Sequence, residues 1–240
     1  MSVAPVRGEL RYWLELARLL VDRRFLSVER AEQPLPVLLI PGFMAGDASL
    51  TALAGWLRRR GHQVRGSGML INVGCAGSEL ARLEEKLARL EGPVIVVGQS
   101  RGGTLARALA AEHPDKIAGL VTLGSPVLDP LAVSAQVMRT VRSVARLGDL
   151  GMPGVFSSDC MDGPCCTDFN ARLRAPLDPV MPALAVHSRT DGIVDWRACL
   201  DPHARCVEVK GSHCGMAVNP DVYRELEPLL AGTEEAVCRQ

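Results

Sequence analysis

The 240-residue sequence is poor in aromatic side chains, with three Trp, two Tyr and four Phe. That is too few for the stacking platforms that grip single-stranded nucleic acid. It carries no net charge, since acidic and basic residues both number 27, and so lacks the overall field that gathers nucleic acid or anionic membrane. Lysine is nearly missing: only Lys86, Lys116 and Lys210 stand among the 27 basic residues. No apolar run approaches the roughly 20 residues of a membrane span, and none near the start has the form of a secretory leader. No integral membrane association is expected, and a cytoplasmic location is the default. Eight cysteines are too few for a disulfide-built miniprotein but many for a reducing compartment, which leaves an extracytoplasmic location open. Apolar residues are abundant. At 48% hydrophobic and 22% charged, the chain can build the core of one α/β domain, and global disorder is excluded.

From residue 35 onward, strand and helix patterns alternate. LPVLLIPG, HQVRGSG, PVIVVGQ, IAGLVTLGS, PALAVHSR and CVEVKGS read as strands, bounded by Gly and Pro. Between them, Leu50, Leu53, Ala54 and Leu57 share one helical face behind Asp47 as a candidate N-cap. Leu80, Leu83, Leu87 and Leu90 do the same behind Ser78. GGTLARALAAEHP is a helix stopped by Pro114, and NPDVYRELEPLLAG closes the chain. This rhythm predicts a mostly parallel sheet of about six strands with helices on both faces. It breaks over residues 127–178, too long a stretch for a plain connection and apolar enough to form an ordered cap. Residues 1–33 read as a helical extension of the same single domain (1–240). There Leu10, Trp13, Leu14, Ala17, Leu20 and Val21 recur at helical spacing and are expected to pack on the body.

The chemistry is concentrated in VIVVGQSRGGTLARALA, which places G-Q-S-R-G, residues 98–102, between a buried strand and a helix. A Ser on such a turn is exposed at the carboxyl edge of the sheet. The following helix aims its first amides and its positive dipole end at the same point. With this segment the chain resembles the α/β-hydrolase superfamily, and within it the lipases and esterases. The resemblance rests also on PGF at 41–43, TLGSP at 122–126, SRTDGIV at 188–194 and GSHCGM at 211–216. It implies an α/β-hydrolase fold and a Ser–acid–His order, which Ser100, Asp191 and His213 satisfy.

Of the five histidines, His213 alone directly follows a predicted strand between flexible neighbours. His62, His113, His187 and His203 lie on the wrong edge, at a helix end, within a strand or in a polar loop. Asp191 lies just past a strand, with Asp195 as its competitor and Asp47, Asp129 and Asp201 less well placed. Arg101, after the nucleophile, supplies one backbone N–H of the oxyanion hole. The resemblance implies Phe43 as the other donor, with Met44 as the near alternative. An Arg after the nucleophile is unusual for a lipase, and its side chain has no assigned role from sequence. The implied activity is hydrolysis of carboxylic esters through an acyl-enzyme, with no metal or organic cofactor. The same triad would serve an acyltransferase or a thioesterase, whereas a non-catalytic binding protein of this fold would be expected to have lost a triad member. The expected partner is a small-molecule or lipid-like ester, with Met44, Met161 and Met216 as candidate pocket walls. Local disulfides are expected from Cys199 to Cys206 and from Cys160 to Cys165 or Cys166. A metal site at Asp159, Cys160, Asp162, Cys165 and Asp168 is disfavoured, because paired knuckles and a nearby His are missing.

Overall fold

The computed structural model of the chain describes residue 3 and residues 6–238. Six strands form one parallel sheet: β1 (Pro36–Ile40), β2 (Gln63–Gly66), β3 (Val94–Gln99), β4 (Ile117–Leu123), β5 (Ala183–His187) and β6 (Arg205–Glu208), in the order β2-β1-β3-β4-β5-β6. The chain runs outward from β1 to β2, then returns to β3 and continues the other way. The crevice beyond the carboxyl ends of β1 and β3 is therefore the topological switch point, where ligands of open α/β sheets bind.

The helices are α1 (Tyr12–Leu20), α2 (Arg23–Leu26), α3 (Thr51–Arg59), α4 (Ala76–Ala88), α5 (Arg101–Glu112), α6 (Ala135–Asp149), α7 (Asp159–Asp162), α8 (Pro164–Arg174) and α9 (Pro220–Cys238). Strand alternation divides the core. Val37, Leu39, Ile95 and Val97 face Leu53, Trp56, Leu57 and Tyr223 of α3 and α9. Leu38, Ile40, Val94 and Val96 face Leu80, Leu83 and Leu87 of α4 and Leu105 and Leu109 of α5. Each fully buried Leu contributes about 1.5–3 kcal/mol of hydrophobic stabilisation.

Helices α6, α7 and α8 fill the break in the rhythm between β4 and β5. A buried arginine, itself held by an ion pair within the body, ties the end of this insert down. Arg107 of α5 reaches Asp201 at 2.8 Å and donates to the Ala175 carbonyl at 2.6 Å.

Several local expectations need correction. Asp47 does not cap the helix that follows it; its carboxylate turns to accept from Ser67 N, Ser67 Oγ and Gly68 N. Helix α4 starts at Ala76, two residues before Ser78, with Cys75 at the N-cap position. The largest correction concerns α1. Leu10, Trp13, Leu14, Leu20 and Val21 are all more than half exposed, while Glu15 and Leu19 are buried, and Tyr12 and Leu16 pack partly against the core. The helix is rolled so that its apolar stripe faces outward, and the reason lies in what Glu15 bonds to in the site below. Among the described residues no helix is long and apolar enough to cross a membrane.

Candidate active site

Ser100 follows the last residue of β3 and precedes the first residue of α5, at φ 53°, ψ −124°. This is a left-handed conformation that a residue with a Cβ adopts only when its surroundings impose it, at about 1–3 kcal/mol. Here they do. The Ser100 N–H donates to the Leu123 carbonyl of β4 at 2.8 Å. A Cβ on Gly98 would stand 2.3 Å from the Gly102 carbonyl oxygen, and one on Gly102 would stand 2.3 Å from that of Ile40. Two side chains missing from the turn let α5 start directly against the ends of β1 and β3.

His213 lies in the loop after β6, buried at 5% exposure. Its Nδ1 is 2.6 Å from Asp191 Oδ2, while Asp191 Oδ1 accepts from the backbone N–H groups of Ile193 and Val194, both at 2.8 Å. One carboxylate oxygen is thus anchored by its own loop and the other is aimed at the imidazole. Burial alone would push the His213 pKa down. The Asp191 charge, the hydrogen bond to it and the Glu9 charge outweigh burial and hold the imidazole above its ordinary range.

Ser100 and His213 line the same cavity without a hydrogen bond between them among the described residues. Nucleophile–base contacts often tighten only once substrate is bound. The competing acids have other work: Asp195 caps the turn at Trp196–Cys199, and Asp201 pairs with Arg107. The other histidines also lie elsewhere. His187 stacks on Trp196, His62 bonds to the backbone of Leu35, and His113 sits beside Glu84.

The two candidate oxyanion donors adjoin Ser100, Arg101 following it in sequence and Phe43 following Gly42, on which a Cβ would stand 3.2 Å from Ser100 Cβ, and they can be told apart from their neighbours. The Met44 N–H is committed to the Asn72 carbonyl at 3.1 Å, whereas the N–H groups of Phe43 and Arg101 carry no hydrogen bond among the described residues. Met44 has φ 57°, and with Ser100 it makes the pair of non-glycine residues at positive φ among the described residues.

Fully buried Asn72, which sequence reasoning did not single out, organises this wall. Its Nδ2 donates to the Pro41 carbonyl at 2.8 Å, its N–H to the Ala45 carbonyl at 2.9 Å, and its Oδ1 accepts from the Arg101 guanidinium. Arg101 also donates to the Gly74 carbonyl and lies over the Phe156 ring at 5.8 Å. Burial pulls its pKa down to about 10, so it stays a cation at neutral pH. The unusual Arg therefore ties the start of α5 to the Asn72–Gly74 loop, and Asn72 in turn holds the loop carrying Phe43.

The N-terminal segment supplies a second brace that the sequence did not announce. Glu9 accepts from the N–H groups of Gly192, His213 and Cys214, at 3.0, 3.1 and 2.8 Å. Glu15 accepts from Ser212 N at 2.7 Å and Ser212 Oγ at 2.6 Å. These carboxylates draw the polar side of the N-terminal segment inward and leave the apolar stripe outside. Gln99 completes the hold on the histidine loop by donating to the His213 carbonyl at 3.1 Å.

The cavity measures about 620 Å³ and reaches from Ser100 to the insert, with Leu131, Phe156, Phe169 and Ile193 among its apolar walls. Met44 and Met161 line it. Met216 does not: it is fully buried in the core, where a Cβ on Gly124 would stand 2.9 Å from its sulfur.

The expected cysteine pairs also need correction, for all seven described cysteines are free thiols. Cys199 is buried, and Cys206 points to the carbonyls of Asp201 and Ala204. The side chain of Cys238 lies outside the described residues. The Asp159–Asp168 ligands do not converge. Among the described residues the group of potential metal ligands that does is Glu84, Glu112 and His113, where Arg172 bridges both carboxylates as an ion-pair network.

Comparison with known proteins agrees with the fold. A family profile described as the α/β hydrolase fold matches residues 88–149, which span β3, Ser100, α5, β4 and α6. A pyrethroid hydrolase of Sphingobium wenxiniae is 31% identical over 103 residues, or 39% of this chain and 37% of that protein, so the match spans little more than a third of the relative's length. Among solved structures, the chain is similar to a lipase of Bacillus licheniformis in its mature form, with 15% identity and a TM-score of 0.60 over 85% of this chain and 94% of that one. It is also similar to a monoacylglycerol lipase of Paleococcus ferrophilus, with 16% identity and a TM-score of 0.57 over 82% and 94% of the two chains. At such identities these likenesses speak to fold.

Proposed function

We propose that this chain, which has the α/β-hydrolase fold, belongs to that superfamily and is a serine carboxylic-ester hydrolase. The observation that carries the reading is the strained Ser100 at the floor of a largely apolar cavity shared with His213, whose far nitrogen is held by Asp191 at 2.6 Å. Ser100 Oγ attacks the ester carbonyl carbon while His213 Nε2 takes its proton. Asp191 holds the imidazole in the tautomer that leaves Nε2 free and steadies the imidazolium. The oxyanion that forms is met by the N–H groups of Phe43 and Arg101. Their free state, against the committed amide of Met44, favours this pair. His213 then protonates the departing alcohol, and water, activated by the same base, releases the acid from Ser100.

The size of the cavity supports a small or medium ester, since small-molecule sites occupy roughly 300–1,000 Å³. Its apolar walls favour an aliphatic or aromatic acyl or alcohol group, and the same kind of substrate is suggested by the names of the relatives, a pyrethroid hydrolase among them. The test is a stopped-flow assay with p-nitrophenyl esters. A burst of nitrophenol equal to the enzyme concentration, absent in Ser100→Ala, supports an acyl-enzyme on Ser100. Turnover by Ser100→Ala at the parent rate refutes it.

A further inference from the structure

The fold brings together two thiols that are far apart in sequence. Cys75 ends the loop that carries Asn72 and Gly74 and stands at the N-cap of α4, while Cys165 lies in the first turn of α8, in the insert. Their Sγ atoms are 2.8 Å apart across a sequence separation of 90. Gly77 makes room for the approach, since a Cβ there would stand 3.1 Å from Cys165 Sγ. A disulfide has an S–S length of about 2.05 Å, so less than an ångström of movement separates contact from bond. Cys75 is only half-buried and Cys165 lines the cavity, so a small disulfide can reach the pair.

The surroundings give the two sulfurs different characters. Burial raises the Cys75 pKa, but hydrogen bonds from Cys165 and Cys160 and from the Ser78 and Gly77 amides at the head of α4 outweigh it and bring the thiol below its ordinary range. The hydrogen bond with Cys75, together with burial, pushes the Cys165 thiol up to about 11. The pair is a nucleophilic thiol and a resolving thiol in contact.

We propose that Cys75 and Cys165 form a reversible disulfide that fastens the helical insert to the body of the protein beside the catalytic cavity. With a low-molecular-weight disulfide as oxidant, the Cys75 thiolate attacks one of its sulfurs, giving a mixed disulfide and expelling a thiolate. Cys165 then gives up its proton and attacks the Cys75 sulfur, closing the intramolecular bond and expelling the second thiolate. Two protein thiols are oxidised, one external disulfide is reduced to two thiols, and the two protons leave with them. The bond would hold α8, whose Phe169 and Asn170 line the cavity, against the loop that braces Arg101. It is independent of the reaction assigned to Ser100.

The test incubates the full chain with glutathione disulfide or with excess dithiothreitol. Free thiols are then alkylated, and unreduced peptides are mapped by mass spectrometry. The expected product is a cross-linked peptide pair joining Cys75 to Cys165, two hydrogens lighter than the reduced pair. Closing so long a loop is expected to raise Tm by about 5–15 °C. Cys75→Ser and Cys165→Ser should each abolish the cross-link and the Tm shift, and Cys206→Ser should abolish neither. Alkylation of both thiols after oxidation would overturn the proposal. So would a bond from Cys160 to Cys75, Cys165 or Cys166 in its place, or a Tm shift that persists in Cys75→Ser.

Discussion

Replacing Glu15 with Ala tests whether the N-terminal helix is part of the catalytic apparatus. Ser212 N and Ser212 Oγ donate to the Glu15 carboxylate at 2.7 and 2.6 Å, and both residues are almost wholly buried. A hydrogen bond to a charged partner contributes about 1.5–3 kcal/mol, and a buried donor left unpaired loses as much. Two such bonds predict a loss of about 3–6 kcal/mol for Glu15→Ala, a large share of the roughly 5–15 kcal/mol that holds a domain together. Glu15→Gln keeps one acceptor and should lose less than half as much. The loss falls on the residue next to His213, so kcat/KM for p-nitrophenyl butyrate should drop at least about tenfold while the protein is still folded. Leu19→Ala is the control. It removes a fully buried side chain from the same helix without touching Ser212, and should cost about 2–5 kcal/mol with little change in rate. Urea midpoints at constant slope measure the stabilities. Unchanged stability and rate in Glu15→Ala, or an equal loss of rate in Leu19→Ala, would refute the reasoning.

The Glu9 charge contributes to holding the His213 pKa above its ordinary range, and the base works only when neutral, so kcat/KM falls as pH drops through that raised value. Glu9→Gln should move the acid limb of the pH profile to lower pH; an unmoved or upward-shifted limb contradicts this. Asp191→Asn should reduce kcat by about 10³–10⁴-fold, since the amide holds the wrong tautomer. Asp195→Asn should be mild, because Asn can still accept from the Arg197 N–H, and the reverse ranking would transfer the acid role to Asp195. Across p-nitrophenyl esters from acetate to palmitate, activity should peak at short to medium chains. Each buried methylene adds about 0.8 kcal/mol only until the cavity is full, and an optimum at palmitate with a jump at an oil interface would contradict this.

What can be read from the sequence is local. The strand VIVVGQ, the serine after it and the helix behind form one continuous segment. Its glycines report close approach of backbone to backbone, so the elbow is legible from the residues alone. The sheet follows from the alternation of short apolar runs with amphipathic helices. The features that escape depend on distant partners. Glu15 looks like the solvent face of an amphipathic helix because Ser212 lies 197 residues away, and two buried hydrogen bonds outweigh the preference of the Leu and Trp stripe for the core. Asn72 sits in a loop with no motif around it. The cysteines are expected to pair with sequence neighbours, yet among the described residues the sulfur-to-sulfur hydrogen bond joins residues 90 apart. Met216 shares its segment with His213 but is fully buried in the core, where its sulfur packs against Gly124 behind the imidazole.

The most direct test of the proposed mechanism is covalent labelling by a p-nitrophenyl phosphonate ester, followed by peptide mapping. The account predicts one phosphonyl group per chain, attached to Ser100. Labelling should be abolished in Ser100→Ala and strongly slowed in His213→Ala, with both variants retaining the parent circular dichroism spectrum. A phosphonyl group on any other residue, or labelling of Ser100→Ala at the parent rate, would contradict it.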